Sequence, residues 1–285
     1  MRLDGRRESD NVDDRRRSGS KGKASLGIGG LIIVGLIVWL TGGNPMDVVT
    51  SQLGDNLTMS ESTYEPTAEE DALAKFSKQI LRGTEEVWTD IFAKNGMTYV
   101  PPKMVLYTRA TTSGCGNASS STGPFYCPAD QTVYIDLSFF EEMETKLSAG
   151  GDFAYAYVIA HEVGHHVQYL LGVLADVQKQ QQRMSEKESN KLNIRLELQA
   201  DFYAGIWAYH DNKKYSSLED GDIDEGLNAA SQIGDDRLQM QAQGYTVPDS
   251  FNHGTSAQRS RWLKKGLQTG NVSDGDTFSV SFSSL

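Results

Sequence analysis

Phe153-Ala154-Tyr155-Ala156-Tyr157-Val158-Ile159-Ala160-His161-Glu162-Val163-Gly164-His165-His166-Val167-Gln168 is largely apolar up to Ala160 and then holds three of the chain's five histidines. The apolar half is compatible with a helix, so the histidines fall on a buried helix. At about 100° per residue, positions four apart lie within about 40° of each other. His161 and His165 therefore point the same way, one turn apart, as two nitrogen ligands of one cation must. Glu162 lies about 100° round from His161, beside such an ion but not on it, where it can take a proton from water. His166 is one residue off the ligand stripe and reads as a packing group.

Zinc is the ion this pattern implies, one per chain, and a reactive zinc needs a third protein ligand with a position left open for water. A glycine three residues and a histidine six residues beyond His165 would supply it, but Gln168 and Leu171 stand there, so that version is excluded. Glu197 in Glu197-Leu198-Gln199-Ala200-Asp201 is the candidate. Leu192, Leu196, Ala200, Tyr203, Ala204 and Trp207 make an apolar stripe along that helix, and carboxylates on a buried helix need partners. A metal answers for Glu197. For Asp201, a hydrogen bond to the outer nitrogen of His161 does so. His253, just ahead of the capping-box pattern Thr255-Ser256-Ala257-Gln258, is a candidate to stabilise the oxyanion of a tetrahedral intermediate; a surface loop residue is the other reading. Tyr126 and Tyr134 are further candidates for that work, and the strand around Tyr134 could serve as an edge along which an extended peptide aligns. His210, before Asp211-Asn212-Lys213-Lys214, reads as an exposed helix end.

Thr67 with Glu70 suggests a capping box opening a helix to about Lys94, which Asn95-Gly96 stops. Met104–Tyr107 and Val133–Asp136 read as short strands, and helical periodicity covers roughly 152–171, 192–210, 222–241 and 255–268. No internal repeat is seen. The order gives an α+β fold, a mainly helical domain over 67–270 with a small β-sheet and a C-terminal tail at 271–285.

The 285 residues carry a net charge of −11. Residues 1–23 hold eight Lys/Arg against five Asp/Glu, a local +3, and subtracting this from −11 leaves −14 for the rest. Such acidity argues against nucleic acid as a partner and reads as ordinary solubility. Ala24 to Met46 carries no charge, and 24–43 is expected to be a single transmembrane anchor, with 1–23 a basic cytoplasmic leader and 44–66 a linker. A cleavable signal peptide has the same basic–apolar pattern, but Leu40-Thr41-Gly42-Gly43 offers no Ala-x-Ala-like site. Either reading exports the domain across the inner membrane, and Cys115 and Cys127, twelve apart across a turn-rich segment, are then expected to form a disulfide.

The chain resembles the bacterial predicted neutral zinc metallopeptidases of the YpfJ type over nearly its whole length. The resemblance runs through Met1-Arg2-Leu3-Asp4-Gly5-Arg6-Arg7-Glu8-Ser9-Asp10-Asn11-Val12, Gly123-Pro124-Phe125-Tyr126-Cys127-Pro128, the histidine motif, Arg195-Leu196-Glu197-Leu198-Gln199-Ala200-Asp201 and His253-Gly254-Thr255-Ser256. It implies a bacterial membrane-anchored zinc peptidase acting on peptides or proteins. Glu197-x-x-x-Asp201 is similar to the gluzincin arrangement, in which the third ligand is a glutamate. In that family cysteines often stand where this chain has Phe202 and Gly275, so a second disulfide is absent here. The function expected is hydrolysis of peptide bonds by activated water, with Glu162 as general base. A metal-containing scaffold that binds a partner, and hydrolysis of a non-peptide bond, are the alternatives.

Overall fold

The computed structural model describes residues 1–17, 65–119 and 122–285. Its strands are β1 (Val12–Asp14), β2 (Lys103–Tyr107), β3 (Ala110–Ser113), β4 (Gly116–Ser119), β5 (Phe125–Cys127) and β6 (Thr132–Asp136). Its helices are α1 (Ala68–Lys94), α2 (Ser138–Thr145), α3 (Asp152–Leu170), α4 (Val173–Gln181), α5 (Glu186–Tyr215), α6 (Asp222–Gln232), α7 (Asp235–Gln243) and α8 (Ser256–Thr269). Mainly helical α+β architecture is what the sequence leads one to expect.

The sheet order is β1-β2-β6-β5, with β2 parallel to both β1 and β6 and β5 antiparallel to β6. Alternation along the central strands sends Met104, Leu106, Val133 and Ile135 into the main core, while Val105, Tyr107 and Tyr134 face a second cluster with Ala118 and Cys127. Both faces are thus covered, which is why β2 and β6 read as continuous apolar runs. The β3–β4 hairpin supplies part of the second cover, and the Cys115–Cys127 disulfide ties it to the end of β5.

α3 is buried on nearly every side and crosses α5, which opens at Ser185, whose hydroxyl accepts from the Glu188 amide. A Cβ on Gly164 would lie 3.0 Å from the Ala200 carbonyl oxygen, so a larger residue there would press the two backbones apart by a few tenths of an ångström. That crossing sets the distance between the α3 histidines and the α5 carboxylates. The stretch 222–241, expected as one helix, is two. Gly234 breaks it where a Cβ would meet the Ser256 backbone nitrogen at 2.3 Å. The stretch 175–191 holds most of α4 and the first turn of α5. Beyond residue 270 the chain packs back: the Arg195 guanidinium donates to the Thr277 and Val280 carbonyls, and the Thr277 hydroxyl to the Arg195 carbonyl. Phe202 and Gly275 are in contact, the ring lying where a cysteine side chain on Gly275 would be.

The transmembrane reading requires correction. Among the described residues no helix is long and apolar enough to cross a membrane, and 24–43 itself lies outside them. The topology fails on its own ground. β1, inside the supposed cytoplasmic leader, pairs with β2 in the middle of the domain, Val12 against Met104. A single crossing between Arg17 and Glu65 would put those two strands on opposite sides of a bilayer. The leader's cations, which suggested a cytoplasmic flank, answer acidic groups of the domain instead: Arg6 grips Asp211 at 2.6 and 2.8 Å, and Arg16 reaches Asp71 as well as Asp14.

Candidate metal centre

His161 and His165 face the same side of α3, with ring centroids 4.8 Å apart and planes at 88°. Glu197, from α5, lies between them. Its Oε2 is 3.2 Å from His161 Nε2 and its Oε1 is 3.5 Å from His165 Nε2. Donors held about 2.0–2.2 Å from a tetrahedral zinc lie roughly 3.3–3.6 Å from each other; both nitrogen–carboxylate distances are close to that, and one ligand atom from each of the three residues lies within 4.8 Å of the others, so these residues are suited to hold such an ion. His161, His165 and Glu197 are the three sequence candidates, and the fold brings all three together.

The outer nitrogens fix which nitrogen faces the centre. His161 Nδ1–H donates to Asp201 Oδ1 at 2.8 Å, the role expected of Asp201. His165 Nδ1–H donates to Gln168 Oε1 at 2.9 Å. Gln168 is itself oriented, since its Nε2 donates to the Leu196 carbonyl and to Gln199, whose amide donates to the Gly275 carbonyl. Both rings therefore present Nε2. Asp201 is fully buried and also accepts from the Tyr157 hydroxyl at 2.6 Å and from Arg259 Nε and Nη2, each at 2.9 Å. Burial pushes the Asp201 carboxyl upward, but the charges of Arg259 and His161 overcome this and hold it at about 2. Burial likewise opposes a charge on His161, yet the field and hydrogen bond of Asp201, with Glu197, raise it to about 10. Glu197 lies well below its ordinary range, burial being outweighed by the two histidines. A cation is what this pocket asks for, and a proton takes that place when no metal does.

Glu162 is buried at the same centre, near enough to influence His165 electrostatically, and forms no hydrogen bond or ion pair with another described residue. A carboxylate left free in a buried site is available to take a proton. His253 approaches from the loop before α8 and, with its side chain 40% exposed, is neither buried packing nor a free surface group. Its Nδ1 lies 3.1 Å from Asp235 Oδ1, it and Glu197 feel each other's charge, and its Nε2 has no partner among the described residues.

The other candidates do different work. His166 Nε2–H donates to the Val100 carbonyl at 2.7 Å, so its Nδ1 accepts from the Tyr126 hydroxyl at 2.9 Å, and burial lowers its basicity. Tyr126 therefore fastens β5 to α3, and the Tyr134 hydroxyl donates to Asp130. Tyr134 stands on β6, an interior strand; the sheet edge on this side is β5. His210 is half-buried and bonds the Gly270 carbonyl, so it is not the exposed helix end expected. A second acidic group, Asp152, Asp222 and Glu225, surrounds the Met1 amino group, which contacts Asp152 and Asp222. Sequence reasoning missed four polar partners. Tyr157 and Gln168 were within reach, lying four before His161 and three after His165 on one helix face. Asp235 and Arg259 lie 18 and 58 residues from their partners, and no local pattern joins them.

The chain is 50% identical over 288 residues to the Escherichia coli (strain K12) protein "Uncharacterized protein YpfJ", covering 99% of this chain and 100% of that one. It is 38% identical over 193 residues to "Uncharacterized protein Rv2575" of Mycobacterium tuberculosis (strain ATCC 25618 / H37Rv), covering 64% of each. No solved structure matches. The profile of one family matches residues 1–278, and by that match the chain belongs to the family described as "Putative neutral zinc metallopeptidase".

Proposed function

We propose that this chain is a zinc-dependent peptidase whose general base is Glu162. His161, His165 and Glu197 would hold one ion, and a zinc bound there supplies Lewis acidity toward water and toward the scissile carbonyl. Glu162 accepts a proton from the attacking water as the new C–O bond forms. It then delivers that proton to the departing amine nitrogen as the C–N bond breaks. Asp201 and Gln168 keep the two imidazoles turned with Nε2 inward throughout. His253, its Nε2 free, would donate to the oxygen that gains charge when the carbonyl is attacked.

The observation that carries this reading is the free Glu162 carboxylate beside three convergent donors. A structural zinc site is closed by four protein ligands, and among the described residues the group at this centre has three. That favours an open, reactive site over a scaffold. The Cys115–Cys127 disulfide supports action in an oxidising, extracytoplasmic compartment.

The test is Glu162→Gln. Metal analysis should find about one zinc per chain in both proteins, while cleavage of a peptide library by the variant should fall on the order of 10²–10⁴-fold. A variant that cleaves as fast as the parent overturns the mechanism, and a zinc-loaded parent that cleaves no peptide supports the scaffold instead.

A further inference from the structure

Two glutamine amides join His165 to the C-terminal segment, and their bonds allow each of them one orientation. Gln168 is fully buried and Gln199 nearly so. Backbone carbonyls accept and never donate. The Leu196 carbonyl takes Gln168 Nε2 at 2.7 Å, and the Gly275 carbonyl takes Gln199 Nε2 at 3.0 Å. Each side chain therefore turns its oxygen the other way. Gln199 Oε1 accepts from Gln168 Nε2 at 3.1 Å, and Gln168 Oε1 faces His165 Nδ1 at 2.9 Å. Nδ1 must then carry the proton, which leaves the lone pair of His165 on Nε2, 3.5 Å from Glu197 Oε1. The far end of this relay is itself held. On one side of Gly275 the Asp274 carbonyl accepts from Lys265 of α8 at 2.7 Å; on the other the Thr277 hydroxyl donates to the Arg195 carbonyl at 2.6 Å. Arg195 and Gln199 are one turn apart on α5, with Glu197 between them in sequence, so the segment is fastened to the ligand helix on both sides of the third ligand.

We propose that Gln199 is a positioning residue of the metal centre: backed by the Gly275 carbonyl, it fixes the Gln168 amide and, through it, the ring setting of His165. The centre is thus complete only when residues 274–277 are docked on α5. Without Gly275, the Gln199 amide is free to turn over. Gln168 Nε2 then faces a donor, and the Leu196 carbonyl alone holds it. Neither amide titrates, unlike Asp201, which does the corresponding work for His161.

This inference rests on zinc being held by His161, His165 and Glu197, so its experiment reads zinc affinity and ring state rather than cleavage. Full-length chains are stripped of metal and titrated with zinc against a chelator. Gln168→Met should weaken zinc about 10–100-fold and Gln199→Met about tenfold. In the double variant Gln199→Met should cost nothing beyond Gln168→Met, because its effect passes through that amide. Thr277→Val, which loosens the segment without touching the relay, should weaken zinc in the parent and not in Gln168→Met. Cobalt(II) in place of zinc gives a visible absorption band, which should shift in Gln199→Met as it does in Gln168→Met. A mere loss of packing would lower the melting temperature of the metal-free chain and leave that band where it is. The ring nitrogen resonances of the zinc-loaded parent need no variant: His165 should carry its proton on Nδ1. A Gln199→Met chain with the parent's zinc affinity and band, additive losses in the double variant, or a His165 proton on Nε2 overturns the proposal. A parent that binds no zinc overturns the metal reading with it, whereas failure of the peptidase reading alone shows in Glu162→Gln.

Discussion

Asp201 illustrates what a single buried charge demands. It holds the outer proton of His161, and a carboxylate in that place must be ionised to do so, yet burial alone would protonate it. Arg259 answers with two hydrogen bonds from α8 and Tyr157 adds a third donor. Arg259→Gln removes the cation and leaves the anion buried, and breaking one partner of such a pair costs about 3–5 kcal/mol. Urea unfolding at pH 7 should register that loss. The pH dependence follows from the sign of the shift. Asp201 sits at about 2 in the folded chain against an ordinary 3.8, so the stability it contributes is present above about pH 4 and lost as pH falls toward 2. The difference is about 2 kcal/mol in the parent. In Arg259→Gln the acid loss should begin at higher pH. A variant with the parent's unfolding free energy at pH 7 and the parent's acid transition would show that Arg259 does not balance Asp201.

At the scale of elements, the helix that carries His161 and His165 was legible because its chemistry is local: one period places both ligands and the base. Its partner α5 was legible through the apolar stripe from Leu192 to Trp207, and Glu197 and Asp201 fall one turn apart on it. β1 was not legible. Val12 is the one apolar residue of Val-Asp-Asp, and its pairing with Met104 joins positions 92 apart, a contact no periodicity encodes. Charge counting then misled, since it sees Arg6 and Arg16 in the leader but not the aspartates they meet after folding. The 222–241 stretch failed for a related reason. Gly234 is tolerable inside a helix by propensity, and only the approach of Ser256 makes it a break. If the leader is part of the domain, Arg6→Ala should behave as a core defect. It strips Asp211, fully buried, of its bidentate partner and leaves it the Ser217 hydroxyl, a loss of about 3–5 kcal/mol. Hydrogen exchange at the Met104 amide, which donates to the Asn11 carbonyl, should speed up with it. A change under about 1 kcal/mol with unaltered exchange would return the leader to the status of a loose extension.

At the scale of the molecule, the three donors tie two helices already joined by packing and by the hydrogen bonds of Tyr157, His161 and Gln168. α3 brings two imidazoles and α5 one carboxylate, and an ion that binds all three also fastens the helices together. Binding energy for the folded state is therefore folding energy. With free zinc at a thousand times its dissociation constant the added stability is about 4 kcal/mol. For a chain of this size each kcal/mol raises the melting temperature by about 2 °C, so chelation should lower it by roughly 8 °C and zinc should restore it. Protons compete for the same atoms. His161, raised to about 10 by Asp201 and Glu197 against the pull of burial, must give up its inner proton to the ion, so binding releases protons and weakens as pH falls. The zinc-dependent rise should accordingly shrink between pH 7.5 and pH 5.5. His165→Ala, which removes one donor from α3, should melt at a temperature indifferent to zinc at either pH. If that variant gains as much from zinc as the parent, the ion stabilises the protein from somewhere else, and the crossing of α3 and α5 is not its site.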